Sequence, residues 1–168
     1  VDVRCQPGES FEPVLIPAAT VTSGVEQPCG FCTVQNAGNL IDASLNNAAR
    51  MITTSGATGA TQVLVTDTDT VYDGPRRVGF VLSTSSGAPP ADIVSALTVR
   101  TYLGGAARES GGLNGSTALS VLGLANNPSQ RLVTLTTSLS FDAARLDLAA
   151  TASGLTVVDN FAMCVGPP

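Results

Sequence analysis

The sequence contains no histidine, no lysine and no tryptophan. Without histidine the usual proton-transfer group at neutral pH is missing, and without lysine so are Schiff-base and Ser–Lys mechanisms. Paired carboxylates or a bound metal are the routes left, and Glu9, Glu12, Glu26 and Glu109 show no motif-like pairing. Enzymatic activity is therefore not expected. The missing lysine also excludes Lys–Asn isopeptide cross-links.

Charge is scarce as well. Charged residues make up 12% of the 168-residue chain, all eight cations are arginine, and the net charge is -5. No basic stripe is present to release counterions from a phosphate backbone, so nucleic acid is not an expected partner. Anionic membrane surfaces are disfavoured for the same reason, and no apolar run approaches the roughly 20 residues that span a bilayer. Aromatics amount to 4%, which leaves the core to Val, Leu, Ile and Ala.

What the chain has in abundance is Ser, Thr, Gly and Ala, with apolar residues at 43%. This is the composition of one domain with a core of small branched side chains and a hydroxyl-rich surface. Turn residues recur at short intervals, and the runs between them read as strands. Strands are expected at Phe11 to Ile16, Ala19 to Ser23, Phe31 to Gln35, Met51 to Thr54, Gln62 to Thr66, Arg77 to Ser83 and Ala96 to Leu103. Further strands are expected at Ala106 to Glu109, Arg131 to Ser138, Ala144 to Ala149 and Val157 to Val165. In Leu97 to Leu103 the residues Leu97, Val99, Thr101 and Leu103 share one face, while Thr98, Arg100 and Tyr102 share the other. Gly104-Gly105 then supplies a tight hairpin turn. One or two helical turns are expected over Ala91 to Leu97 and over Ser44 to Met51. The fold class that follows is all-β, an antiparallel sandwich with little helix.

Four cysteines, Cys5, Cys29, Cys32 and Cys164, lie near the two ends of the chain. Two disulfides in an oxidising compartment are the expected use, because the Cys29–Cys32 spacing precedes a strand rather than opening a helix. An extracellular or cell-surface location after removal of a signal peptide is implied. A start at Val1 agrees with such processing, and equally with a trimmed chain.

Asp67, Asp69 and Asp73 form the best metal candidate, since Ca²⁺ takes several carboxylate and carbonyl oxygens from one loop. The spacing does not match an EF-hand, and the alternative is a solvated loop in which Asp73-Gly74 makes a turn. Asp42, beside Asn39 and Asn46-Asn47, is a second candidate, with an Asx-rich loop as its alternative. No other cofactor is expected. Asn114-Gly115-Ser116 matches a glycosylation sequon.

The segments Asn39-Leu40-Ile41-Asp42 to Asn46-Asn47-Ala48, Val78-Gly79-Phe80-Val81, and Leu97 to Leu103 with Gly104-Gly105 and Glu109-Ser110 occur in a characteristic order. Leu119 to Leu124, Arg131-Leu132-Val133, Phe141 to Leu146 and Ala162-Met163-Cys164-Val165 continue it. Over residues 29–166 this order resembles a β-sandwich domain, with a galactose-binding-like jelly roll, that recurs in large secreted bacterial surface proteins. The resemblance implies a jelly-roll scaffold, loops at one end suited to glycans, and neighbouring terminal strands. From that neighbourhood the expected pairing is Cys32 with Cys164 and Cys5 with Cys29.

The function expected first is a structural or adhesive surface protein, self-associating with identical subunits. A glycan- or ligand-binding module on the same scaffold is the alternative. Residues 1–24 are expected to be an N-terminal arm, edge strand or donor strand ahead of a sandwich over 25–168. Phe11, Val14, Leu15, Ile16 and Val21 are the apolar side chains that a donated strand would bury in a neighbour, giving an extracellular filament by strand exchange. The alternative is that the segment folds back onto its own domain.

Overall fold

The computed structural model describes residues 5, 11–42, 44, 47–54, 58–124, 127–151 and 155–168. Glu9 and Asn46 lie outside the described residues. Twelve strands are present among those described: β1 (Glu12–Pro13), β2 (Ala19–Val25), β3 (Thr33–Gln35), β4 (Ala49–Thr53), β5 (Ala60–Asp67) and β6 (Arg76–Ser83), then β7 (Leu97–Leu103), β8 (Ala106–Gly112), β9 (Ser120–Leu124), β10 (Asn127–Thr137), β11 (Ala143–Ala149) and β12 (Thr156–Gly166). One short helix, α1 (Ala91–Val94), and one 3-10 turn (Ala37–Leu40) interrupt them.

The strands form an antiparallel, jelly-roll-like sandwich. A seven-stranded sheet runs β3-β4-β12-β6-β10-β9, with β1 also on β12, and a five-stranded sheet runs β2-β5-β11-β7-β8. Period-two alternation explains the packing. In β5 the residues Val63 and Val65 are fully buried between Gln62, Leu64 and Thr66, which are half-exposed. Val63, Val65, Phe80, Leu97, Val99, Leu135, Leu146 and Met163 belong to the inter-sheet core. Two hydroxyls inside this core pair with each other: Thr53 Oγ1 lies 2.9 Å from Thr61 Oγ1 and donates to the Leu148 carbonyl at 2.9 Å.

A second apolar cluster lies on the opposite face of the seven-stranded sheet. It joins Cys5, Phe11, Val81, Leu124, Leu132, Ala162 and Cys164. Gly166 is needed here, because a Cβ at that position would meet the Phe11 ring at 2.7 Å. Of the residues expected to be donated to a neighbour, Phe11, Val14 and Val21 pack in their own chain. Phe11 and Val14 are buried, β1 pairs with β12, and β2 pairs along β5. Val21 packs against the inter-sheet core, Leu15 is half-exposed and Ile16 is exposed.

Three expectations are corrected by the coordinates. The disulfides are Cys5–Cys164 and Cys29–Cys32, not Cys32–Cys164 and Cys5–Cys29. The chain end carrying Cys5 joins the outer cluster beside β12, whereas Cys29 and Cys32 close a four-residue turn before β3. That turn shortens the strand expected from Phe31, whose φ of 63° is incompatible with extended backbone. The helical turn expected over Ser44 to Met51 gives way to β4, in which Ala49, Met51 and Thr53 are buried and Arg50 is exposed. β9, absent from the strand expectations, pairs with β10.

Candidate functional site

Arg50 and Asp159 face each other across β4 and β12, and Gln35 on β3 is opposite Arg50. Their side chains lie on the outer face of the seven-stranded sheet, since the neighbours Ala49, Met51 and Val158 turn into the core. Arg50 Nε donates to Asp159 Oδ1 at 2.9 Å and Nη2 to Oδ2 at 3.4 Å. This hydrogen bond, with the attraction between the two charges, raises the arginine pKa above its usual value.

A β-bulge shapes one wall. The pairing of β12 with β6 slips between Asn160 and Ala162, so Ala162 joins the outer cluster while Asn160 points inward and is fully buried. Phe161 is the extra residue, half-buried, and packs against that cluster. Asn36 forms the other wall in a left-handed conformation (φ 56°) that asparagine tolerates. Gln35, Asn36, Ala48, Arg50, Asp159 and Phe161 together line a concavity of about 370 Å³.

The chemistry offered is a guanidinium, a carboxylate, two amides and one aromatic ring. Arginine can donate through Nη1 while keeping its fork to Asp159, and each carboxylate oxygen retains acceptor capacity. Adjacent hydroxyls that both donate and accept match such a charge pair.

The metal candidates are placed differently. Asp67 Oδ1 accepts the backbone N–H groups of Asp69 (3.0 Å) and Thr70 (3.1 Å), and Oδ2 accepts the Tyr72 hydroxyl at 2.6 Å. Burial first, then this hydrogen bond, pushes the Tyr72 pKa up, and the ring stacks on Phe141 at 5.4 Å. Asp67 thus organises its own turn, and Asp73 offers its backbone carbonyl to Arg76 at 3.1 Å. Asp42 accepts from the Ser44 amide (3.1 Å) and the Asn47 side chain (2.7 Å). Among the described residues no group of three or more His, Cys, Asp or Glu side chains is placed to hold a metal. Asn114 is exposed on the turn after β8.

The outer face of the five-stranded sheet carries a second charged array. Arg145 and Arg100 are directly opposite each other on β11 and β7. Asp147 binds Arg145 through a fork of 2.7 and 2.9 Å and lies 3.6 Å from Arg100 Nε. Its side chain is only 9% exposed, so this carboxylate is committed to the two arginines.

No protein-family model and no curated protein matches the chain. Among solved structures it is similar to the family 32 CBM from C. perfringens NanJ in complex with galactose, at 13% identity and a TM-score of 0.46, covering 92% of this chain and 98% of that one. At those values neither fold nor ligand is carried over, and the sandwich stands on its own two sheets.

Sequence reading did not single out Gln35, Arg50, Asp159 or Phe161. Arg50 and Asp159 are 109 residues apart, and each reads alone as one solvated charge on an alternating strand. Only the β4–β12 register joins them.

Proposed function

We propose that this chain is a non-catalytic extracellular module that binds carbohydrate at the ledge formed by Gln35, Asn36, Arg50, Asp159 and Phe161. The observation that carries this reading is the Arg50–Asp159 fork, half open to solvent, beside a half-buried aromatic ring. A sugar presents vicinal hydroxyls on one side and C–H groups on another. The fork suits the first and the ring suits the second.

Assembly by donation of residues 11–22 lacks comparable support. Those residues satisfy β5 and β12 of their own chain, so donation would first require their removal.

The test is a glycan array followed by calorimetry on wild-type protein, Arg50→Ala and Phe161→Ala. Binding of at least one neutral glycan is expected. Loss of Arg50 should weaken it tenfold or more, the scale of about 1.5–3 kcal/mol for hydrogen bonds to a charged group. Absence of binding across the array and at millimolar sugar would overturn the reading, as would undiminished affinity in both variants.

A further inference from the structure

Every open sandwich has edge strands whose outward backbone groups are unpaired, and three of the four edges formed by the described residues are blunted. β3 is three residues long. β2 lies beside β3 and the 3-10 turn. β8 carries Arg108 and Glu109, a register shift against β7, and a bridge from Gly111 to Thr117.

β9 carries no charge, and its register against β10 is regular from Ser120 to Gly123, shifting only at the Leu124 end. Among the described residues it pairs only with β10, and its five residues, Ser120-Val121-Leu122-Gly123-Leu124, include no proline. No charged residue occurs anywhere between Glu109 and Arg131. In a chain with net charge -5, this is the stretch along which two copies approach with least repulsion.

We infer that β9 is a self-pairing edge, joining two copies of this chain antiparallel about a two-fold axis at Leu122. The sequence is complementary to itself in that register. Leu122 meets Leu122, Ser120 meets Leu124, and Val121 meets Gly123. Val121 is 45% exposed, and a Cβ built on Gly123 finds no atom within 4 Å, so the partner's Val121 has room over that glycine. Leu122 packs against the outer apolar cluster of its own copy, and the pairing fuses the two clusters into one band. An axis perpendicular to the sheet keeps both outer faces on one side, which makes the contact isologous and closed. The two Arg50–Asp159 ledges then share that side, about eight strand spacings or roughly 40 Å apart.

Sedimentation velocity across a concentration series of the full chain tests this, with Val121→Lys and Leu122→Cys as variants. Wild-type protein is expected to dimerise. Val121→Lys should keep the wild-type melting temperature and sediment as a monomer at tenfold higher concentration. Leu122→Cys should give a covalent dimer on mild oxidation, while Val121→Cys, which faces glycine, should not. A wild-type chain that stays monomeric overturns the inference, and so does a Val121→Lys chain that dimerises undiminished. Monomeric wild-type protein that binds a synthetic peptide copying residues 119–125 also overturns it, assigning the edge to an extended strand of another partner.

Discussion

On the outer face of the seven-stranded sheet, Val81, Leu132 and Ala162 pack against Phe11 and the Cys5–Cys164 bridge, leaving the Arg50–Asp159 pair beside them open. On the outer face of the five-stranded sheet, Asp147 is spent between Arg145 and Arg100. One face is covered by chain and covalent bond, the other by mutually neutralising charge. A ligand reaching the second face must break an ion pair that is already complete, whereas on the first it adds to one that is half solvated.

The covalent cover can be removed outright. Replacing Cys5 and Cys164 by serine frees a loop with a sequence separation of 159, for which chain entropy gives roughly 4–5 kcal/mol. Thermal unfolding should move down by about 10 °C or more. The Cys29–Cys32 pair, closing four residues, should cost about 2 kcal/mol on the same relation, so a larger loss there than at Cys5–Cys164 would reverse the ranking.

The charged cover is next in size. Asp147→Asn leaves two arginines opposed with no counter-ion, and a loss of about 2–3 kcal/mol is expected from denaturant unfolding, discounted from a fully buried pair because both arginines are partly exposed. Asp147→Asn with Arg100→Leu should recover part of it.

Where the sheets are tied together the effect is smaller and depends on pH. Burial raises the Glu109 pKa, but hydrogen bonds from the Ser138 and Leu139 amides and the Ser138 hydroxyl, with the charge of Arg108, outweigh it and leave the carboxyl below its ordinary 4.5. A group depressed on folding stabilises fully above its unfolded value and loses that contribution as pH falls through its folded value. Unfolding followed from pH 5 downward should show this loss in wild-type protein and a flatter profile in Glu109→Gln, with about 1 kcal/mol missing at pH 7. Parallel profiles would remove Glu109 from the account. Arg50→Ala should be smallest, within about 0.5 kcal/mol, which separates the ledge from everything that holds the fold.

Much of the fold was readable because alternation is a local signal. Leu97 to Leu103 showed its buried face directly, and Gly104 and Gly105 take the positive φ values, 58° and 86°, that the hairpin turn demands. β9 was missed because Val121, Leu122 and Leu124 surround a glycine and give no clean period of two. The ledge was not readable at all, since it depends on which strands become neighbours. Thr98 was expected on a wet face and is buried, its hydroxyl accepting the Asn114 amide at 3.1 Å, because the turn after β8 folds over it.

The Cys5–Cys164 bond also determines how the domain answers a pull. Tension entering the backbone ahead of Cys5 and leaving it beyond Cys164 passes through one S–S link rather than through the sheets. The sandwich is then mechanically bypassed: a length of chain on the order of 500 Å when extended stays locked behind the bond. Under load the oxidised domain is an inextensible link, and reduction alone turns it into a long, yielding one.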